Sequence, residues 1–547
     1  MKKKYIWIIL FGIIILAAIL RLWQLGYIPP SPYSDEAAYG YDAYSIIHTG
    51  QDQFGKFLPV VLRSLDDYKP ALYAYLTIPS IFIFGLNVFA VRFPSAIFGI
   101  LSVLAVFYLV KEIFDNYKYR DFLALFSSFL LAISPWSIQF SRVGFETNVG
   151  TAFNILAVLF FLKGLKKSWL LTLPAVFAGL SIYTNQSEKV FTPLLILILA
   201  LIYKKRLFSL NKKYIFSAVA VGVIVIMPMA IYLLKVPYSL VRAKKTSIFS
   251  SQTEILKMDV QKLSRDQANK DKLGIILDNR RIVYSKTILG GYLSHFDFNW
   301  LFLEGDQARH HAPGMGLLYL FELPFLLFGI YMLIFGNIDR KAKLLVFLWV
   351  LIAPLPASIT IDVPHAERTL NFLPAFQIII AFGILSAFLF INRYNKLKYF
   401  LYVIFAGIFV LNFTYYLDQY FVQLNYYDSS YWQYGYKETV DEVKAVGNKY
   451  NEIVVSNDKT LDKSYIFFLF YLKYPPSDYQ KIAINRPVDI VDNAFGKYKF
   501  RKIDWKKDAQ VKNVLYIVDP NDVPKKIHTL KTIYNLDGTP AMKIIGI

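Results

Sequence analysis

Two uninterrupted apolar runs, residues 5–20 and 214–234, constrain this chain more than any other feature of its sequence. A bilayer's hydrocarbon core is about 30 Å thick and takes about 20 helical residues to cross. The second run reaches that length and the first nearly does. Hydrophobic residues make up 56% of the chain and charged residues 18%, whereas soluble domains carry about 25% charge. A purely soluble enzyme, a disordered chain, a collagen and a coiled coil are therefore excluded. The chain has no cysteine, so disulfides, thiolate metal sites and cysteine nucleophiles are excluded as well.

The 60 Lys and Arg outweigh the 39 Asp and Glu, for a formal charge of +21. Such an excess ordinarily raises nucleic acid as a partner, but its placement gives a better account. Clusters lie at Lys2, Lys3 and Lys4; at Lys111, Lys118 and Arg120; and at Lys163, Lys166 and Lys167. Three more lie at Lys204, Lys205 and Arg206 with Lys212 and Lys213; at Arg340, Lys341 and Lys343; and at Arg393, Lys396 and Lys398. Each borders an apolar stretch in a short loop, the pattern of cytoplasmic loops in a multi-pass membrane protein. Membrane lipids, not nucleic acid, are the expected surroundings.

Threading from a cytoplasmic N-terminus predicts about eleven spans, near 5–22, 91–110, 121–138, 148–163, 169–185, 189–203, 214–234, 316–335, 343–359, 370–390 and 399–417. The odd number puts the C-terminus outside. The first span resembles a signal peptide, but no small-residue cleavage site follows before Arg21, so a retained helix is expected. Residues 71–85 are apolar but short and contain Pro79, which predicts a helix at the outer surface or packed in the bundle. Three polar stretches fall outside: 24–69, 235–315 and the tail from 425. The expected fold is thus a polytopic α-helical membrane domain over 1–424, with an extracytoplasmic α/β domain over 425–547. In the tail, 431–449 and 464–473 read as helices, and 452–455 and 514–518 as buried strands. It carries no GxGxxG, P-loop or HExxH, which points to positioning or recognition.

Charged residues avoid the centres of the spans and gather at their outer ends, which favours chemistry at the outer interface over transport through the bundle. The first outer stretch runs Pro29-Pro30-Ser31-Pro32-Tyr33-Ser34-Asp35-Glu36 into a predicted helix from 35 to 48. Asp35 and Glu36 are candidate catalytic carboxylates; alternatively, Ser34 or Asp35 caps the helix and Glu36 favours its dipole. Tyr68-Lys69-Pro70 closes the same stretch. Lys69 can meet a lipid phosphate or merely snorkel at the interface. Glu146, after Arg142-Val143-Gly144-Phe145, is either a second site carboxylate or the acidic first turn of a helix. Before the eighth span come Glu304, Asp306, Arg309, His310 and His311. Arg309 and the two histidines suit an anion or sugar. Glu304, Asp306, His310 and His311 are also metal-ligating types, although their spacing matches no strong signature. Asp362-Val363-Pro364-His365-Ala366-Glu367-Arg368 opens the tenth span. There Arg368 either binds phosphate through its planar fork or pairs with Glu367 or another carboxylate.

Taken in order, Asp35-Glu36 in a large first outer loop, Tyr68-Lys69-Pro70 before a surface helix and Arg92-Phe93-Pro94-Ser95 opening the second span resemble the GT-C class of membrane glycosyltransferases. The similarity is to the protein O-mannosyltransferase and lipid A aminoarabinose transferase branches, over most of residues 1–420. The tail motif Trp432-Gln433-Tyr434-Gly435-Tyr436-Lys437-Glu438 is similar to tails on bacterial members. The resemblance implies transfer of a sugar from a polyprenyl-phosphate carrier to a hydroxyl acceptor at the outer face, with inversion. Asp35 then matches the catalytic carboxylate, Glu36 its neighbour and Glu146 a second acidic position. Lys69 and Arg368 match the cations that meet the lipid phosphate, and His310 and His311 match active-site loop residues that precede a span; Tyr68, in the matched motif, and Arg309 are candidate substrate contacts beside them. No cofactor is required, because Lys and Arg can supply the positive charge that a divalent metal otherwise would. Protein, envelope glycan and lipid acceptors all remain open. The rival readings are a transporter or flippase of lipid-linked sugars, which predicts a polar route through the bundle, and a noncatalytic scaffold.

Overall fold

The computed structural model describes residues 2–64, 67–236, 246–249, 254–394, 397–486, 492–524 and 527–547. Parts of all three stretches expected outside, and Lys396 of the last basic cluster, fall outside these residues. Among the described residues, seven helices are long and apolar enough to cross a bilayer: Lys3–Leu22, Val88–Ile113, Glu146–Gly164, Lys212–Lys235, Arg340–Ser358, Phe372–Ile391 and Leu397–Tyr427. An eighth is broken. The expected span at 121–138 consists of Arg120–Ile133 and Pro135–Ser141, bent by 57°; Pro135 lacks the N–H that a continuous helix needs and disfavours helix at Ser134. The region expected to span over 316–335 is helical only across Glu322–Phe335, and that over 169–185 has its α-helix at Thr172–Ile182. Leu72–Phe84 is the expected short helix of 13 residues, about 20 Å at 1.5 Å per residue and too short to cross.

The chain forms two compact units. One comprises Ala17–Ile100, Ile138–Glu146 and Thr414–Ile547. After the first long helix it contains the helix Ser34–Thr49 and an antiparallel hairpin of β1 (Val61–Ser64) and β2 (Asp67–Pro70), with Leu62 opposite Lys69. The tail builds a six-stranded sheet from β3 (Glu452–Ser456), β4 (Asn493–Phe495), β5 (Tyr498–Arg501), β6 (Val514–Val518), β7 (Lys531–Tyr534) and β8 (Pro540–Gly546). Their order is β4-β5-β3-β6-β8-β7, with β3 parallel to β5 and β6 and the remaining pairs antiparallel. The expected strands are β3 and β6, central and buried on both faces. That is why they read as unbroken apolar runs instead of alternating ones. On one face Ile453, Val455, Leu515 and Ile517 pack with Ile466, Phe467 and Phe470 of the helix Ser464–Leu472. Ala37, Ala38 and Tyr41 of Ser34–Thr49 join the same core. The helix that carries Asp35 is therefore seated on the tail's hydrophobic layer.

The other unit comprises Met1–Leu16, Leu101–Ser137 and Thr147–Phe413. Its helix Phe372–Ile391 is buried continuously from Phe372 to Ser386. It lies so close to Glu322–Phe335 that a Cβ on Gly383 would sit 2.0 Å from the Phe325 carbonyl oxygen. Small residues that let backbones approach are the means of association where lipid offers no hydrophobic drive.

Candidate active site

Asp35 and Glu36 occupy the first turn of Ser34–Thr49, and the turn sends them to different surroundings. Glu36 is fully buried. Its Oε1 accepts from Arg92 Nε at 2.8 Å and from Gly144 N at 2.8 Å. Its Oε2 accepts from Arg92 Nη2 at 3.0 Å and from Tyr33 N at 3.3 Å. Glu36 is therefore the side chain that reaches back over this helix start, a contact the sequence assigned to Ser34 or Asp35. Arg92 is also fully buried, and its remaining donors reach Leu25 O (3.1 Å), Pro29 O (2.8 Å) and Ser31 O (2.8 Å). All five guanidinium donors are used, and the proline-rich approach to the helix is pinned by them. A Cβ on Gly144 would lie 3.1 Å from Glu36 Cγ, so any larger residue there would press on the carboxylate that its own N–H holds.

Asp35 forms an ion pair with Lys69, its side chain 30% exposed against 6% for the lysine. Lys69 arrives on β2, where alternation puts half-buried Tyr68 on the opposite face. The Lys69 ammonium also lies 5.6 Å from the centre of the Tyr39 ring. Glu146, buried, heads Glu146–Gly164. Further along the Asp35 helix, burial and the neighbouring Asp52 push the Asp42 carboxyl well above the ordinary range. Its Oδ1 and Oδ2 accept from Gln53 N (3.1 Å) and Gln53 Nε2 (3.2 Å).

The tail holds this helix at both ends. Gln433 Oε1 accepts from Ser34 N at 3.0 Å. Gln480 Nε2 donates to Ser45 Oγ at 3.0 Å and Thr49 Oγ1 at 2.8 Å. A partly accessible carboxylate fixed on a packed helix beside a buried ammonium can accept a proton while the ammonium pairs with an anion.

Arg309, His310, His311 and Arg368 lie in the other unit. Asp306 Oδ2 accepts from Ala366 N at 2.7 Å and faces His310 Nδ1 at 3.0 Å. The His310 and His365 rings are 5.1 Å apart. Burial alone would push the Asp306 carboxyl up, but the His310 ring and the Ala366 N–H outweigh it and hold the group below its ordinary value. Burial, with His310 and Arg368 nearby, pushes His365 well down; burial also pushes His295 down to about 4. Arg368 donates to Thr360 Oγ1 at 2.6 Å and lies 3.8 Å from Asp362. Of the carboxylates expected beside it, Asp362 is therefore the one that faces Arg368, while Glu367 accepts from Asn185 Nδ2 at 3.2 Å.

The four-residue metal set read from sequence is only half assembled. Asp306 and His310 come together, whereas Glu304 is tied to Asn299 Nδ2 at 2.6 Å and His311 Nδ1 to Ala312 O at 2.9 Å. His365 takes the missing place, with one potential ligand atom each of Asp306, His310 and His365 all within 4.8 Å of one another. The sequence motif contains His365 but gives it no role. Arg92 likewise stands in a sequence motif that gives it no role, and no local signal marks Glu188. Glu188 is fully enclosed by Asn371, Asn154, Thr192 and Ser181.

Comparison with known proteins places these features in a wider setting. A family model described as dolichyl-phosphate-mannose-protein mannosyltransferase matches residues 68–232. No curated protein matches the chain in sequence. Among solved structures, ArnT from Cupriavidus metallidurans bound to undecaprenyl phosphate is similar at 11% identity and a TM-score of 0.55, over 100% of this chain and 98% of that one. The archaeal oligosaccharyltransferase AglB from Archaeoglobus fulgidus, in complex with an inhibitory peptide and a dolichol-phosphate, is similar at 13% identity and a TM-score of 0.51, over 86% of this chain. The chain spans 64% of the length of AglB. It is a multi-pass membrane protein, and its fold is the one shared by these GT-C class glycosyltransferases.

Proposed function

We propose that the chain transfers a sugar from a polyprenyl-phosphate carrier to a hydroxyl acceptor at the outer membrane face, with Asp35 as general base. The observation that carries this reading is the pairing of partly exposed Asp35 with buried Lys69 on a helix held at both ends. The acceptor oxygen attacks the anomeric carbon, forming the new glycosidic bond. On the opposite side the carbon–oxygen bond to the carrier phosphate breaks, with inversion, and polyprenyl phosphate leaves with the electron pair. Asp35 takes the hydroxyl proton, assistance typically worth about 10²–10⁴-fold. Lys69 exchanges its contact with Asp35 for the phosphate, so donor binding uncovers the base while the ammonium stabilises the departing charge. Glu36, with both oxygens engaged, positions Asp35 and does not itself exchange protons. Glu146 as a second site carboxylate, His310 and His311 as substrate contacts and Arg368 at the donor phosphate are carried over from the family resemblance; Tyr68 and Arg309 join the substrate contacts by their place in the sequence and their residue type.

The reading includes about eleven spans, with the N-terminus cytoplasmic and the C-terminus outside. Residues 1–424 form the membrane catalytic part and 425–547 the extracytoplasmic α/β part. Its acceptor is a protein, an envelope glycan or a lipid.

The test is single-turnover release of free polyprenyl phosphate from a polyprenyl-phosphate sugar, with a crude envelope acceptor, followed by mass spectrometry. Asp35→Asn should fold as wild type and release product about 10²–10⁴-fold more slowly. Equal rates would remove Asp35 as the base.

A further inference from the structure

We propose that Asp306, His310 and His365 form a binding site for one zinc-class divalent ion, which clasps the segment bearing Arg309 to the segment bearing Arg368. Two imidazoles and one carboxylate are a ligand set suited to zinc, and three protein ligands leave a tetrahedral ion one position for water. The three groups come from two separate loops, and their ligand atoms already lie within 4.8 Å of one another. His310 and His365 are buried, at 3% and 6% exposure.

Two further observations point to an ion over a plain hydrogen-bonded cluster. Asp306 Oδ1 is buried with no hydrogen-bond partner, although Oδ2 is used by both Ala366 N and His310. An acceptor left without a partner in a closed site costs free energy that a bound cation would recover. The surrounding shell is also set: His295 contacts Gly291 O through Nδ1 at 2.6 Å and accepts the His365 N–H through Nε2 at 3.2 Å. Both nitrogens of His295 are thereby occupied, and it fixes the backbone of a ligand without competing for the ion. Such outer partners are a regular part of metal sites. Magnesium and calcium prefer all-oxygen shells, which this site does not offer.

The site is independent of the transferase reading and is tested without activity. The full chain, purified in detergent without a histidine tag and stripped with chelator, is titrated with Zn²⁺ and with Co²⁺. Wild type should take up one equivalent of zinc, which millimolar Mg²⁺ does not displace, and bound Co²⁺ should show the strong visible bands of a four-coordinate ion. His365→Ala and His310→Ala should each weaken zinc by roughly 100-fold or more, since even the partners of ligands are worth about 10–100-fold. His48→Ala, outside the cluster, should bind as wild type. Equal affinity in wild type and His365→Ala overturns the proposal. If the variants do not fold, wild type alone decides: a Co²⁺ spectrum that stays that of the aqua ion overturns it too.

Discussion

Glu36 and Glu188 are both sealed from solvent, one in each unit, yet they are accommodated by opposite chemistry. Glu36 faces a buried guanidinium, with the backbone N–H groups of Gly144 and Tyr33 completing its shell. Glu188 meets only uncharged donors. Oε1 accepts from Asn371 Nδ2 at 2.7 Å; Oε2 accepts from Asn154 Nδ2 at 2.6 Å, Thr192 Oγ1 at 3.2 Å and Ser181 Oγ at 3.3 Å. A charge-paired carboxylate depends on its partner, because removing one ion leaves the other uncompensated. A carboxylate caged by hydroxyls and amides sits among groups that can rotate or flip. The first arrangement fixes a geometry rigidly, as suits the turn that carries Asp35. The second tolerates change.

The largest effect should come from removing the guanidinium. Arg92→Ala strands Glu36 in a dry site and frees three carbonyls of the proline-rich approach, at a cost of about 3–5 kcal/mol. Thermal unfolding in detergent measures it. Combining it with Glu36→Gln should recover part of that loss, because the unpaired charge disappears with it. A double variant no more stable than Arg92→Ala alone would show that the carbonyl contacts, and not the ion pair, carry the site.

Glu188→Gln should cost less, about 1.5–3 kcal/mol, the range for hydrogen bonds to a charged group. The new amide turns one donor toward donors, but the Thr192 and Ser181 hydroxyls can rotate to accept from it. The same unfolding assay applies. A loss equal to that of Arg92→Ala would erase the distinction between the two cages.

The sequence shows the Asp35–Glu36 pair, the helix behind it and Lys69 because those signals are local: prolines before a helix start, acidic residues in its first turn and a lysine beside an apolar segment. It does not show which carboxylate turns inward. Adjacent residues point about 100° apart on a helix, and Glu36's partner lies 56 positions away. His365 was hidden in the same way, since only the folded loops bring it to Asp306. The break in the span at 121–138 was legible in principle, at Pro135. Apolar composition outweighed it, because proline is tolerated in membrane helices whose neighbours satisfy the freed carbonyl.

Asp42 tests the comparison from a third side and should give the smallest effect. Like Glu188 it faces uncharged donors, both from Gln53, but Asp52 stands near it. Its folded pKa is raised above the ordinary 3.8 by burial first and Asp52 second. The native state therefore holds a proton that the unfolded chain has lost, and this contribution to stability declines as pH rises from about 4 toward the raised value. Asp42→Asn removes that slope. The new amide can donate to Gln53 Oε1, which is buried without a partner, while its oxygen keeps the contact with Gln53 N. The variant should match wild type near pH 4 and surpass it modestly at neutral pH in unfolding measured across that range. A wild type that gains on the variant as pH rises would mean that Asp42 is stabilised as an anion, and the distinction between paired and caged carboxylates would not extend to this helix.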